Sequence, residues 1–127
     1  MAFSFDPNKP VYSQIIDEIC LRIFSGEYVS GQRLPSVREM AADASVNPNT
    51  MQKALSLMEA DGLLHSVTTS GRFITDNEEK ILQAKNKLAL CAVDAMLDRM
   101  FKLGFDSGDL LKIIENRLEK KEQKNES

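Results

Sequence analysis

Residue types that build catalytic and metal sites are scarce in this chain of 127 residues. It has one histidine, His65, and two cysteines, Cys20 and Cys91, which are far apart in the sequence. Both cysteines fall within apolar helical patterns, where a reduced, buried thiol packs as a small hydrophobic side chain. The sequence has no Cys/His cluster with metal-ligand spacing, no phosphate-binding glycine loop and no nucleophile motif. It therefore predicts neither an enzyme nor a metal or cofactor site.

Long hydrophobic runs are missing as well. No run approaches the roughly 18 apolar residues that identify a membrane-spanning helix. The N-terminal sequence MAFSFDPNKP also lacks the basic and then apolar layout of a secretory signal. With 43% hydrophobic and 28% charged residues, the composition is typical of a soluble globular protein. Because neither a membrane span nor a secretory signal is recognised, we expect no membrane partner and a location in the cytoplasm.

An excess of positive charge is also absent, although nucleic-acid-binding domains are often basic. The chain has 16 Lys and Arg against 19 Asp and Glu, a net charge of -3. The distribution is more informative than the sum, because residues 44–58 and 62–75 contain no acidic side chain. Each of these stretches carries a basic residue, Lys53 in the first and Arg72 in the second. We interpret them as two surfaces kept free of negative charge.

Hydrophobic spacing predicts two helices in the first part of the chain. Apolar residues at steps of three and four indicate a helix over residues 10–24, which Gly26 ends. After a polar loop, Ser36 and Glu39 have the reciprocal spacing of a capping box. A short second helix is therefore predicted over residues 37–44.

A third helix and a hairpin follow. Asn47 can cap a helix that ends at Gly62. Beyond it, two short stretches, residues 63–67 and 72–75, flank a turn in which Gly71 can adopt a positive φ. The predicted order is thus three helices and a β-hairpin wing.

The C-terminal part of the chain predicts two helices. A long helical pattern begins after Thr75 and Asp76 and ends at Gly104, and Asp106 can cap a last helix. The long helix carries an apolar seam at steps of seven, four and three residues, formed by Leu82, Ala89, Val93, Met96, Met100 and Leu103. This seam is too long to be covered by so small a domain, so we expect it to meet a second copy of the chain. Met96 and Met100 could instead line a ligand cavity, although a seam containing Met is more typical of a core or an interface.

Residues 36–64 have the design of a helix-turn-helix, whose second helix enters the major groove of DNA while its apolar rear packs on the domain. In the third helix the apolar residues take the buried side, and small, amide and basic side chains face outward. Asn and Gln pair with adenine, Thr contacts a thymine methyl or a phosphate, and Lys suits guanine or phosphate. The candidate reading residues are Asn49, Thr50, Gln52 and Lys53.

The run LPSVREMAADASVNPNTMQKALSLMEADGLL, followed by SGRFI, resembles the winged helix-turn-helix of the GntR family of bacterial transcription regulators. The resemblance is to the small YtrA-like subfamily in particular, and it covers residues 11–75. The two-helix segment that follows is similar to the subfamily's dimerisation segment in length and layout. The wing departs from the family in having Thr69 where a second glycine is usual. Pro48 and Asn49 stand where many relatives outside this subfamily have arginine and threonine, which implies readout by amides.

The resemblance implies DNA contacts from three elements. The contacting residues are Arg38 in the second helix, Asn49, Thr50, Gln52 and Lys53 in the third helix, and Ser70, Gly71 and Arg72 in the wing. Because phosphate contacts set position and base contacts select sequence, Arg38, Lys53 and Arg72 are expected to supply affinity, and Asn49 and Gln52 specificity. Two alternatives remain open. Arg38 could pair with Glu39 or Asp43 instead of contacting DNA. Ser36 is expected to cap a helix, and the alternative is that it contacts DNA.

The expected fold is mainly α with a small β-hairpin wing. It comprises a winged helix-turn-helix domain over residues 1–75, a helical dimerisation segment over 76–120 and a disordered tail over 121–127. The expected function is that of a sequence-specific transcriptional regulator, a homodimeric repressor bound to an inverted repeat in double-stranded operator DNA. The alternative is a winged-helix protein-interaction module that does not bind DNA. The near-neutral charge favours this alternative, and the acid-free third helix and wing oppose it. The sequence does not identify a small-molecule effector.

Overall fold

The computed structural model describes residues 3–126, with Glu126 described by its backbone alone, and it is mainly helical. Its elements in chain order are α1 (Val11–Phe24), α2 (Val37–Ala44), α3 (Pro48–Ala60), β1 (Leu64–Val67), β2 (Gly71–Ile74), α4 (Glu78–Lys102) and α5 (Ser107–Glu126). β1 and β2 form an antiparallel sheet of two strands. The predicted fold class is therefore confirmed. Within the described range, no helix combines the length and the apolar character needed to cross a membrane.

The chain forms two compact units that meet between Asn86 and Lys87. The sequence placed this boundary earlier, at residue 75. The difference arises because the first turns of α4 belong to the first unit, where Ile81 and Ala84 pack against its core.

The core of the first unit is built by α1, α2, α3 and the wing. α1 buries Ile15, Ile19 and Ile23, which lie four residues apart and so share one face of the helix. α3 contributes four buried side chains, those of Met51, Ala54, Leu55 and Met58. Leu64 and Ile74 face each other across the sheet and are buried as well. This burial fixes the orientation of α3 and leaves its polar side outward.

Side-chain caps and one left-handed residue set the limits of α2 and α3. The Ser36 Oγ accepts a hydrogen bond from the Glu39 N–H at 3.1 Å. The Asn47 Oδ1 accepts one from the Asn49 N–H at 2.8 Å. Ser45, with a φ of 55°, ends α2 in the left-handed region. Among the described residues one half of the expected capping box is present, because no hydrogen bond from the Ser36 N–H to the Glu39 carboxylate accompanies the first one.

The wing includes a third extended segment that the sequence patterns did not predict. The loop before α2 runs along β2, and the Leu34 N–H donates to the Arg72 carbonyl at 2.9 Å. Arg33 also forms an isolated antiparallel bridge with Phe73. The segment around Arg33 is therefore part of the wing sheet rather than a free loop.

The turn of the wing contains two residues with positive φ. Gly71 has a φ of 107°, as its position in the predicted turn required, and Thr69 has a φ of 74°. Glycine adopts this region without a steric penalty, whereas a β-branched residue such as threonine does not. Thr69 thus has a glycine-like backbone without being a glycine.

Polar side chains also mark the starts of α4 and α5. The Asn77 Oδ1 accepts hydrogen bonds from the backbone N–H groups of Glu79 and Lys80 at 3.1 and 3.3 Å, so Asn77 is a cap that the sequence analysis missed. The Asp106 Oδ1 accepts from the Asp109 N–H at 2.9 Å, which confirms the predicted cap of the last helix.

α5 continues to Glu126, through nearly all of the segment 121–127 that was expected to be a disordered tail. Ser127 lies outside the described residues. The helix persists because this segment is rich in Lys, Glu and Gln, which have high helix propensity. A basic residue in the last turn, Lys124, also interacts favourably with the helix dipole.

Most of the predicted seam of α4 is exposed in the single chain. Leu82, Val93, Met96 and Leu103 are 54%, 46%, 40% and 61% exposed, Ala89 is exposed, and Met100 is half-buried.

The two cysteines differ in burial. Cys20 is buried, and burial raises the pKa of its thiol to about 11, with smaller contributions from Asp17 and Asp61. Cys91 is exposed, contrary to expectation, because the second unit consists of two helices that leave most of α4 uncovered.

Candidate nucleic-acid interface

The outward side of α3 is polar up to Ser56 and carries no carboxylate before Glu59. Asn49, Gln52 and Lys53 are exposed and Thr50 is half-buried. The core-facing apolar residues are Met51, Ala54, Leu55 and Met58, whereas Leu57 is 41% exposed. The structure thus separates the two sides of α3 as the helical spacing predicted. It presents amide, hydroxyl and ammonium groups, the side chains that read base edges and contact phosphates.

Gln52 makes two hydrogen bonds along this surface. Its Nε2 donates to the Ser56 Oγ at 3.1 Å, and its Oε1 accepts from an Arg72 Nη at 3.3 Å. A glutamine amide has two N–H donors and two acceptor lone pairs, so one of each remains available. One donor and one acceptor are what a bidentate pair with adenine requires.

Arg72 extends from the wing toward α3 and is engaged within the protein. Its Nε lies 2.5 Å from the Glu59 Oε1, and the same carboxylate oxygen accepts a hydrogen bond from the Ser66 hydroxyl. The hydrogen bonds from Ser66 and Arg72 lower the pKa of Glu59 below its usual value, against a smaller opposing effect of burial. We refer to Gln52, Ser56, Glu59, Ser66 and Arg72 as the wing clasp, because these residues join the wing to α3.

The four arginines of the first unit divide into two pairs. Arg22 is buried and lies 3.2 Å from Glu18 and 3.8 Å from Glu27, and Arg72 is paired with Glu59. Arg33 and Arg38 are exposed, and neither forms an ion pair with any described residue. The alternative of a salt bridge from Arg38 to Glu39 or Asp43 is therefore absent from the described structure.

Lys53 contacts an aromatic ring of α1. Its Nζ lies 3.9 Å from the centroid of the Tyr12 ring, within the range of a cation–π interaction. Because Lys53 remains exposed, the contact orients the ammonium group without removing it from solvent. Tyr12 thereby restricts Lys53, the single basic residue of α3.

The exposed turn of the wing lies beside the start of α2. Ser70 and Gly71 are exposed, and Arg33, Ser36, Thr69 and Gly71 line one groove of about 340 Å³ between the wing and α2. Apolar residues line the same groove as well, namely Leu34, Pro35, Val37 and Val67. No group of three or more His, Cys, Asp or Glu in residues 3–125 is placed to hold a metal ion.

Four contributors to this surface were not identified from the sequence: Tyr12, Arg33, Glu59 and Ser66. Their roles depend on contacts between residues far apart in the chain, such as Glu59 with Arg72, which no local spacing predicts. One feature of the sequence could have identified Arg33 as a candidate DNA contact: it is an arginine in a polar loop with no acidic neighbour.

Comparison with known proteins gives a consistent family assignment. The family model for bacterial regulatory proteins of the gntR family matches residues 11–74. The uncharacterized HTH-type transcriptional regulator YhcF of Bacillus subtilis is 37% identical over 110 residues, which are 87% of this chain and 91% of the relative. The HTH-type transcriptional repressor YtrA of Bacillus subtilis is 36% identical over 101 residues, covering 71% of this chain and 75% of YtrA.

Solved structures agree with the sequence relatives. A GntR family transcriptional regulator from Listeria monocytogenes has a TM-score of 0.83 at 32% identity and covers 88% of this chain and 98% of its own. The DNA-binding domain of AraR in complex with an operator has a TM-score of 0.53 at 28% identity, covering 59% of this chain and 95% of its own. The first of these similarities includes both units of the chain, and the second concerns a DNA-bound domain.

Proposed function

Because this chain belongs to the GntR family of bacterial regulatory proteins, and is thus a DNA-binding transcriptional regulator rather than an enzyme, we propose that it is a repressor that binds an inverted repeat as a homodimer. The observation that carries the proposal is the outer side of α3, which has no carboxylate before Glu59 and exposes Asn49, Gln52 and Lys53 on a helix fixed by its buried side. The proposed location is the cytoplasm, where a bacterial chromosome lies.

Within the proposed interface, the recognition helix α3 reads bases and the surrounding residues bind the backbone. Asn49 and Gln52 contact base edges, Thr50 contacts a thymine methyl or a phosphate, and Lys53 and Arg38 contact phosphates. The exposed wing turn, with Ser70 and Gly71, approaches the neighbouring backbone. Ser36 caps the start of α2. The cap stabilises the first turn of the helix, which contains Arg38.

The proposal of a homodimer is supported by the exposed apolar residues of the last two helices. Besides the seam, large apolar side chains are exposed at Leu90, Phe101, Phe105, Leu111 and Leu118. Soluble chains seldom leave so many such residues uncovered along one segment. α4 and α5 carry nearly equal numbers of acidic and basic residues, so two copies can approach without strong net repulsion. A second copy is therefore the proposed occupant.

Repression is proposed on the basis of the relative YtrA, which is named as a repressor. A dimer that holds two winged domains on an operator blocks access to the DNA beneath it. The proposed dimer offers a simple mechanism of this kind, because paired recognition helices of such dimers bind two half-sites about one helical turn of DNA apart.

Selection of bound fragments from random double-stranded DNA tests the proposal directly. We expect an inverted repeat, and we expect Gln52→Ala to lose roughly 1–3 kcal/mol of discrimination at one position in each half-site. Affinity for random DNA should change little, and Gln83→Ala on α4 is the matched control that leaves both quantities unchanged. Recovery of no preferred sequence would contradict the proposal and favour a protein-interaction module.

A further inference from the structure

Arg33 belongs to the wing by its backbone. It forms an antiparallel bridge with Phe73, and the next residue, Leu34, donates its N–H to the carbonyl of Arg72. Residues paired across an antiparallel bridge point to the same face of the sheet. Arg33 therefore shares a face with Phe73, while Arg72, the neighbour of Phe73 in β2, points to the other face, toward α3.

The side chain of Arg33 reaches the turn of the wing. A Cβ placed on Gly71 would lie 3.1 Å from the Arg33 Nε and 3.5 Å from one of its Nη atoms. The guanidinium thus lies against the one residue of β2 that has no side chain. It is held near the exposed tip of the wing by contact with backbone rather than by a carboxylate.

Arg33 and Arg72 differ in their availability for a phosphate. Arg72 is paired with Glu59 and also donates to Gln52, and its side chain is 16% exposed. Arg33 is exposed and has no ion pair among the described residues. Moving Arg72 to a phosphate would leave Glu59 as an unpaired carboxylate facing a polyanion. The free cation of the wing is therefore Arg33.

We propose that Arg33 is the wing residue that binds a DNA phosphate, and that Arg72 is a positioning residue that holds Gln52 through the wing clasp. A guanidinium donates two parallel hydrogen bonds to phosphate oxygens, which suits an exposed arginine beside a turn. The inference rests on the proposed DNA interface, and it changes the role that the family resemblance implied for Arg72.

The salt dependence of operator binding separates the two roles. Each phosphate contact adds about 0.9 to the slope of log K against log salt concentration for duplex DNA. Arg33→Ala should lower this slope by about 0.9 and weaken operator and random DNA by the same factor. Arg33→Lys should keep most of the slope. Lys85→Ala, which removes one charge from α4 beside Phe24 and Gly26, is the matched control and should leave the slope unchanged.

Arg72 is tested without changing the net charge. The double variant Glu59→Gln/Arg72→Gln removes the ion pair, and it should keep the salt slope while losing discrimination at the base pair that Gln52→Ala affects. Thermal unfolding of each variant checks that the winged domain remains folded. A slope that is unchanged in Arg33→Ala, or one that falls in the double variant, would overturn the assignment. Absence of any operator for the unmodified protein would instead refute the proposed function.

Discussion

At the scale of single residues, the interface depends on partners that lie far apart in the sequence. Gln52 and Arg72 are both visible as candidates in the sequence, but the sequence does not show that one holds the other. The spacing of α3 predicts which side chains face outward because a helix repeats every 3.6 residues. The same spacing does not predict that Glu59 contacts Ser66 and Arg72, because that contact depends on how the wing packs against α3.

Thr69 provides a prediction about backbone strain. A non-glycine residue in the left-handed region costs roughly 1–2 kcal/mol, and a glycine at this position would remove that cost. Part of the stability gained is lost again, because glycine gives the unfolded chain a larger conformational entropy. Thr69→Gly should therefore raise the free energy of unfolding by up to about 1 kcal/mol, measured by urea denaturation. Thr68→Gly, at a neighbouring turn residue whose φ is not positive, is the control and should be destabilising. Equal destabilisation by both variants would contradict the idea of strain at Thr69.

Glu59 provides a prediction about pH. Its pKa is lowered in the folded protein by the Ser66 and Arg72 hydrogen bonds, so the charged form stabilises the fold above the unfolded pKa, which is about 4.3 for glutamate. This contribution is lost as the pH falls below that value and through the lower folded pKa. The stability difference between the unmodified protein and Glu59→Gln should therefore shrink from pH 7 toward pH 3. Chemical denaturation at both pH values measures it, and a difference that does not vary with pH would argue against the charged contact.

At the scale of elements, local chemistry specifies most of the fold. Ser36, Asn47 and Asp106 were each predicted as caps and each accepts the expected backbone hydrogen bond. The limits of α2 and α3 follow from these caps because they satisfy N–H groups that a helix leaves free. The third wing segment at Arg33 was not predictable, since it pairs through its backbone with a strand far along the chain.

The cap at Ser36 is expected to stabilise α2 and, through it, the position of Arg38. Ser36→Ala removes the acceptor for the Glu39 N–H and should lower the free energy of unfolding by roughly 0.5–2 kcal/mol. Urea denaturation measures this loss, and Ser36→Asp, which restores an acceptor, is the matched control. If stability were unchanged in Ser36→Ala while operator affinity collapsed, Ser36 would be a DNA contact instead of a cap.

At the scale of the whole molecule, a near-neutral winged domain must obtain its affinity from more than charge. The first unit carries more acidic than basic residues, so we expect a single domain to gain little from the release of counterions on DNA. Linking two domains raises the effective concentration of the second one at its half-site. We propose that this linkage arises at the exposed apolar residues of α4, and we expect tight binding to require the dimer.

Met96 lies in the middle of the seam and is the position at which the dimer can be tested. Met96→Glu would place an unpaired carboxylate at an apolar contact between copies, which costs several kcal/mol when the contact excludes water. The variant should sediment as a monomer at micromolar concentration and lose tight operator binding, while weak binding to a half-site remains. Cys91→Glu adds the same charge to an exposed position on another face of α4 and should stay dimeric. A monomeric unmodified protein, or a Met96→Glu variant that remains a dimer, would mean that the seam does not join two copies, and the inverted-repeat arrangement would have to be abandoned.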